Sequence, residues 1–383
     1  MGSLLALAAA AFCYVATETM PVGILTLISG DLGVPPQAVG LLITGYAVTV
    51  AVVTIPLTYV TRNVPRRRLL IVLSAVLALA DLLSAVSPSY PVLLGARLLA
   101  ALSQAIFWAV VAPVVAAMFD VAVRGRVNAV VFAGASLGPM LGVPAGTWIG
   151  QQYGWRAAFL ALSALALAAF AALAAGMPAV EVAATHAAAG THPDRRRYAI
   201  LVAVTTLSVA GLYVSFTYTE VYLTQVTGFA AAALAPLLLA RGIADFGGIA
   251  AGGWAADRWP RGAVTGSGAV LAAGLITMYL TAQDRAATVV LVAVTGFAIG
   301  ALTPALQNRV LDVAPGSTEM ASAGNSVAFN VGIAAGSLLG AGVLDGSGAR
   351  ATALAGGLLA LAALALFLAE PLLTRRTPEV IDR

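Results

Sequence analysis

Lysine is absent from this 383-residue chain; all 20 of its basic residues are arginine. A Walker A nucleotide loop, a Schiff-base site and a pyridoxal site each require a lysine. ATP-driven work and lysine covalent catalysis by this chain alone are therefore excluded. Cysteine is almost absent too. Cys13 stands alone in an apolar run, which excludes a disulfide framework and a thiolate metal cluster. The two histidines, His186 and His192, share a polar stretch and form no HExxH zinc pattern. Charge itself is scarce: 9% of residues are charged and 61% are apolar, against about 25% and about 45–50% in soluble domains. So few charges cannot cover a water-facing surface, and a soluble enzyme is excluded. No metal or cofactor signature is present.

What the chain does have is apolar length. A spanning helix needs roughly 20 apolar residues. Twelve such segments lie near 3–29, 37–61, 69–86, 91–119, 127–151, 157–177, 198–224, 231–254, 263–282, 288–308, 321–343 and 351–372. They predict an all-α membrane protein of twelve transmembrane helices. The first segment follows only two residues and lacks the basic flank of a cleaved signal peptide, so it reads as a retained span. Arginine placement orients the set. With the N-terminus cytoplasmic, 15 arginines fall in inside loops and the tail, and only Arg156, Arg285 and Arg350 fall outside. Arg97 and Arg241 lie within spans. This asymmetry accounts for the net charge of +4 without nucleic acid and puts both termini in the cytoplasm, under a plasma membrane. The Ala, Gly and Arg excess with no lysine reads as codon bias of a GC-rich, bacterial genome.

The longest polar stretch, Pro178–Arg197, separates an N-terminal six-helix bundle (1–177) from a C-terminal one (198–383) with a short cytoplasmic tail. Weak internal similarity supports duplication. Gly134-x3-Gly138-x3-Gly142 in span five recurs as Gly332-x3-Gly336-x3-Gly340 in span eleven. The loop from Arg62 to Arg68, with Pro65, matches Asp257 to Gly262, with Pro260. Small residues at every fourth position let helix backbones approach closely.

Several ordered motifs resemble those of the major facilitator superfamily, and within it the twelve-span drug:proton antiporters that include sugar-efflux-like permeases. Gly253, Asp257, Arg258 and Arg261 resemble the G-x-x-x-D-R-x-G-R loop signature, with Pro260 in place of its second glycine. The matching loop after span two keeps Arg66 and Arg67 but has Arg62 where the acid belongs. Arg97-x3-Ala101 is similar to R-x-x-x-G. Gly134, Gly138, Pro139 and Gly142 resemble the antiporter motif of span five. Further likeness lies in Ala16 to Pro21, Gly154-Trp155-Arg156 and Ala328-Phe329-Asn330. The resemblance implies two bundles around a central cavity walled by spans one, four, seven and ten. It also implies transport of a small molecule coupled to protons, by a functional monomer.

Ionisable groups in hydrocarbon are expensive, so each is a candidate site. Glu18 lies about 22 Å into span one, near the midplane. A carboxyl there suits exchange of a proton for solute, or else makes a structural hydrogen bond. Arg97 and Asp81 reach similar depths on spans four and three, as a fixed ion pair or a proton relay; the resemblance favours proton coupling for Arg97. Arg241 and Asp245 form an i, i+4 pair on span eight. The pair is self-neutralising, or Asp245 is a second titrating or solute-contacting carboxylate. Glu220 ends span seven with Tyr218, solvated near the surface or part of a site. Tyr46, Gln104, Trp108, Asn325 and Asn330 add polar or aromatic handles to an apolar cavity, a setting for small amphipathic molecules.

The leading expectation is proton-coupled efflux by alternating access. The loops at Arg66–Arg67 and Asp257–Arg261 would gate the cytoplasmic side, the glycine faces of spans five and eleven would let the halves slide, and Pro139 would bend span five. Proton-coupled uptake or facilitated diffusion of a metabolite is the alternative of the same fold; a membrane-embedded enzyme or a non-transporting receptor is the remote one. Orientation is directly testable. Alkaline phosphatase fused after Asp284 is expected to be active in cells and fused after Arg376 inactive; the reverse pattern would overturn the orientation.

Overall fold

The structure, a computed structural model, describes residues 2–119, 124–178, 192–316 and 318–373. Most of the inter-bundle stretch Pro178–Arg197, with His186, and the tail arginines Arg375, Arg376 and Arg383 lie outside the described residues, as do the side chains of Arg62, Arg124 and Arg126. Among the described residues all regular structure is helical. Eleven helical stretches are long and apolar enough to cross a membrane. The last of them, within Thr318–Leu373, is two helices joined at Gly348, whose φ of 80° only glycine adopts readily. Among the described residues the spans are therefore twelve.

They run as α1 (Gly2–Thr19), α2 (Pro36–Val60), α3 (Arg66–Ala85), α4 (Tyr90–Met118) and α5, which joins Arg124–Leu137, a π turn Gly138–Gly142 and Val143–Tyr153. Then follow α6 (Trp155–Gly176), α7 (Arg195–Phe216), α8 (Leu234–Arg258), α9 (Pro260–Leu280), α10 (Arg285–Asp312) and, either side of Gly348, α11 and α12. Polar caps mark where helices enter. The Asp194 carboxylate accepts from the backbone N–H of Arg196 and Arg197 at 2.9 and 3.0 Å, and Asp284 does the same for Ala286 and Ala287. The first span is shorter than 3–29. Pro21 has no N–H to continue the ladder, so α1 passes into a 3-10 turn at Met20–Val22. A separate short helix, Leu25–Leu32, lies across that end. Twelve antiparallel passes put both ends of the chain on one face, the terminal face, where the Ser3 hydroxyl donates to the Gly176 carbonyl. The opposite face is called distal.

Glycine decides the closest packing. A Cβ on Gly134 would collide with the Ala8 carbonyl, and one on Gly142 would lie 2.6 Å from the Ala16 side chain, so this face of α5 lies directly on α1. The repeat is structural as well as sequential. A Cβ on Gly332, Gly336 or Gly340 would strike the carbonyls of Thr206, Ala210 and Val214, so α11 lies on α7 in the same way. Both stripes thus fasten helices within a half. The expectation that they form the sliding surface between halves is corrected. On span five, Pro139 sits at the start of the π turn Gly138–Gly142.

The halves meet elsewhere. On α2, Gly40 admits the Tyr218 hydroxyl and Gln37 donates to Asp345 at 3.4 Å. Gly242 of α8 faces the Met140 backbone of α5, and Gln151 donates to the Ala231 carbonyl at 2.6 Å. The Leu25–Leu32 helix reaches Glu220. These bridges all lie toward the distal face.

The presumed gate residues make their observed contacts within a half. Arg66 reaches the Thr61 carbonyl at 3.4 Å, and Arg67 donates to the carbonyls of Met177 and Ala174 at 2.6 and 3.0 Å, capping α6. Arg258 stacks on Trp254 at 4.4 Å, Asp257 is exposed, and a Cβ on Gly253 would meet open space. Arg261 pairs with Glu370, an α12 acid not read as a site residue in the sequence. Glu370 is 1% exposed and lies 3.2 Å from Arg309, 3.4 Å from Arg261 and 3.9 Å from Arg197. One carboxylate thereby ties the terminal ends of α7, α9, α10 and α12.

Two outcomes follow for purified protein in thermal melts. Gly134→Ala and Gly336→Ala are each expected to cost about 1–3 kcal/mol by overpacking, while Gly253→Ala stays within about 0.5 kcal/mol or stabilises. Glu370→Gln, which removes the charge shared by three arginines and leaves Arg309 only Asp312 at 3.1 Å, is expected to cost about 1–3 kcal/mol; an unchanged melt would remove its structural role.

Candidate functional site

The break in α1 builds the first cluster. In a continuous helix the Thr17 carbonyl would accept from residue 21, but Pro21 carries no N–H. Arg97 of α4 takes that place, donating from Nη1 to the Thr17 carbonyl at 2.5 Å and from Nη2 to the Glu18 carbonyl at 3.0 Å. Its guanidinium also lies 4.7 Å over the Tyr46 ring. The Thr17 hydroxyl donates to both Asp81 oxygens, at 2.9 and 3.1 Å. Among the described residues Asp81 and Arg97 form no direct ion pair within 4 Å; Thr17, a residue sequence reasoning missed, stands between them. Two long charged chains on neighbouring helices read as partners, and only the backbone break shows otherwise.

Glu18 is half-buried, unlike the fully enclosed Asp81 and Arg97. Gln104 donates from Nε2 to Glu18 Oε2 at 2.8 Å, and Tyr46 donates from its hydroxyl to Gln104 Oε1, also at 2.8 Å. This chain of donors orients one carboxylate oxygen of Glu18. One turn on, Trp108 stacks on Phe132 of α5 at 5.9 Å and meets Phe107 edge-on at 5.4 Å. Tyr46, Gln104, Glu18, Arg97 and Asp81 are thus one assembly across α1–α4, with Trp108 at its border.

The C-terminal half is organised differently. Arg241 is buried and stacks on Phe216 at 4.1 Å. Asp245 is half-buried and lies against Gly300 of α10, whose missing Cβ makes room for it. Among the described residues they form no ion pair within 4 Å, so the expected self-neutralising pair is not made. Asn325 donates to Gln307 at 2.8 Å, and Gln307, another residue not foreseen, donates to Ser322 at 2.9 Å. Asn330 donates to the Ser326 carbonyl at 3.0 Å, and the Oδ1 atoms of both asparagines are buried without a protein partner.

Tyr218 and Glu220 belong to the distal junction. Tyr218 is fully buried and donates to the Ser337 carbonyl at 3.2 Å. Glu220 is 3% exposed, which corrects the solvated reading, and accepts from the Thr26 backbone N–H at 3.0 Å and from the Thr26 hydroxyl. Nearby, outside the spans, Asp31 accepts from Trp155 Nε1 at 3.1 Å and from Arg156, which hold its carboxyl below the ordinary 3.8. The Gly154-Trp155-Arg156 motif is therefore a clasp for the Leu25–Leu32 helix. Among the described residues no group of three His, Cys, Asp or Glu side chains could hold a metal ion.

Comparison with known proteins agrees with this architecture. The family model described as Major Facilitator Superfamily matches residues 7–317 and 243–382. An uncharacterised MFS-type transporter of Bacillus subtilis is 33% identical, over 95% of this chain and 94% of its own. A chloramphenicol efflux pump of Mycobacterium tuberculosis is 32% identical, over 97% of this chain and 92% of its own. Among solved structures, a bacterial homologue of the human lysosomal transporter Spinster, in an inward-facing and occupied conformation, superposes with a TM-score of 0.79 at 14% identity, covering 98% of each chain. Twelve spans, glycine-fastened helix pairs and a match along nearly the whole length converge: the chain belongs to the major facilitator superfamily, a family of multi-pass membrane transporters and not of enzymes.

Proposed function

We propose that the chain exports a small amphipathic drug or metabolite in exchange for protons, by alternating access between an N-terminal bundle (1–177) and a C-terminal bundle (198–383). The observation that carries this reading is the half-buried Glu18 on its Gln104–Tyr46 chain, at the level where α1 breaks. Glu18 takes the proton; Arg97 and Asp81 position it through the backbone of Thr17 and Glu18. Asp245, half-buried and free of an ion pair, is the second proton carrier. Tyr46, Gln104, Trp108, Asn325 and Asn330 provide solute contacts, and Tyr218 and Glu220 close the distal side. The relationship to efflux pumps supports the direction, and chloramphenicol is the first solute to try.

The arginine asymmetry supports a terminal face, and both termini, on the cytoplasmic side of the plasma membrane. The hydrogen bonds between halves then lie on the outer side, the arrangement of an inward-facing carrier. The loops at Arg66–Arg67 and Asp257–Arg261 close the cytoplasmic side in the opposite state. The unit is the monomer.

Proteoliposomes with an imposed pH gradient test this. The wild-type protein is expected to drive labelled solute against its gradient as protons run down theirs. Glu18→Gln is expected to abolish the response to the pH gradient while leaving solute binding intact. Gradient-driven transport unchanged in Glu18→Gln sinks the proton site; solute moving with the protons instead of against them indicates uptake.

A further inference from the structure

The two bundles treat their buried arginines unequally. Arg97 has two carbonyl acceptors and Asp81 one residue away through Thr17. Arg241 is 8% exposed and, among the described residues, makes no hydrogen bond to the protein; its Nη2 is fully enclosed with no partner. Asp245, one turn further along α8, is not within ion-pairing distance. A buried guanidinium without an acceptor is costly, because its desolvation is not offset. The Asp245 charge acts on it only from beyond ion-pairing distance, which leaves room for an acceptor from outside the protein.

The space for it is present. Arg241 borders a cavity of about 10 Å³ in the interior of the C-terminal bundle, between α7, α8, α9 and α10. Ser215 brings a hydroxyl to it, the hydroxyls of Thr219 and Thr295 are spent on the carbonyls of Ser215 and of Leu291 and Val292, and Leu275 and Met278 add apolar surface. A volume of this size takes one small particle and no drug-sized solute. No carboxylate lines the cavity; Asp245, whose charge acts on Arg241, lies one turn along α8 outside the lining. The nearest aromatic face, Phe216, stacks on the guanidinium and leaves its edge, where the N–H donors lie, for another ligand.

We propose that the C-terminal bundle holds a small monovalent anion, a halide such as chloride, on the Arg241 guanidinium in this cavity. Its charge replaces, in the second bundle, what Asp81 contributes to the first. The Ser215 hydroxyl is a rotatable donor for the same ion. This ion neutralises Arg241 whatever the protonation of Asp245, so that Asp245 is free to change its charge without stranding the arginine. The site does not depend on the direction or substrate of transport, and its test involves no transport.

The test is a melt of the purified protein in detergent at constant ionic strength, with gluconate replaced stepwise by chloride. A ligand that binds only the folded state raises its midpoint. The wild-type protein is expected to show a saturable rise of a few degrees, Arg241→Gln none, and the exposed-site control Arg258→Gln the full rise. Crystals grown with bromide give a second reading that needs no variant: an anomalous peak beside the Arg241 guanidinium. Equal chloride responses in wild type and Arg241→Gln, or no anomalous peak in the cavity, overturn the proposal and leave a water molecule as the occupant.

Discussion

The carbonyl oxygen of Thr17, left without its helical donor by Pro21, is the constraint on which the N-terminal bundle is built. In hydrocarbon no water is at hand to satisfy it. Arg97 crosses from α4 to do so, and in that position it also takes the Glu18 carbonyl and stacks on Tyr46. Three helices are thereby referred to one point. The Thr17 hydroxyl then turns to Asp81, which brings in α3. Glu18 projects from the same turn toward Gln104, with its backbone held and its carboxylate half-buried. A helix break that would be a defect in an isolated segment here places a titratable group near the middle of the fold.

Around that point, packing repeats and electrostatics do not. The α5–α1 and α11–α7 contacts are two copies of one solution, backbone on backbone through glycines four apart. The charges differ. The first bundle buries Arg97 beside Asp81; the second buries Arg241 with apolar α9 side chains opposite and gathers its strongest ion pairs at the terminal ends of its helices, around Glu370. Close packing by small residues tolerates no substitution that adds volume, so it keeps the duplicated geometry. The buried charges are not held to the same rule: Arg97 meets two backbone carbonyls, and Arg241 meets the Phe216 face.

The number of spans and the two glycine stripes were legible in the sequence, because hydropathy and fourfold spacing are local properties. The separation of α11 from α12 was legible too, although its hinge, Gly348, is one glycine among 39. What failed was partner assignment. Asp81 with Arg97 and Arg241 with Asp245 looked like pairs, since opposite charges at similar depth attract. Backbone carbonyls and a threonine hydroxyl compete for the same donors and acceptors, and nothing in a sequence marks which carbonyl lacks its helical partner except a proline four residues on. Pro21 was that mark, beside Thr17. Glu370 carried a weaker one, an acid in an apolar run just before Pro371, and its three arginine partners come from positions 61 to 173 residues away in sequence.

The π turn at Gly138–Gly142 has a bearing on α5 as a mechanical part. A π turn holds one residue more than the α-helix it interrupts, and one residue amounts to roughly 100° of helical phase. Gly134, Gly138 and Gly142 face α1, and past the turn Gly146 and Gly150 face Met20 and Ile24, while Met140 and Gln151 meet Gly242 and Ala231 of the other bundle. Glycines four apart drift by roughly 40° per step around an α-helix, and the inserted residue takes back about 100° of that drift. The π turn thereby keeps five glycines on one seam, from Ala8 to Ile24, that an unbroken helix would carry out of contact.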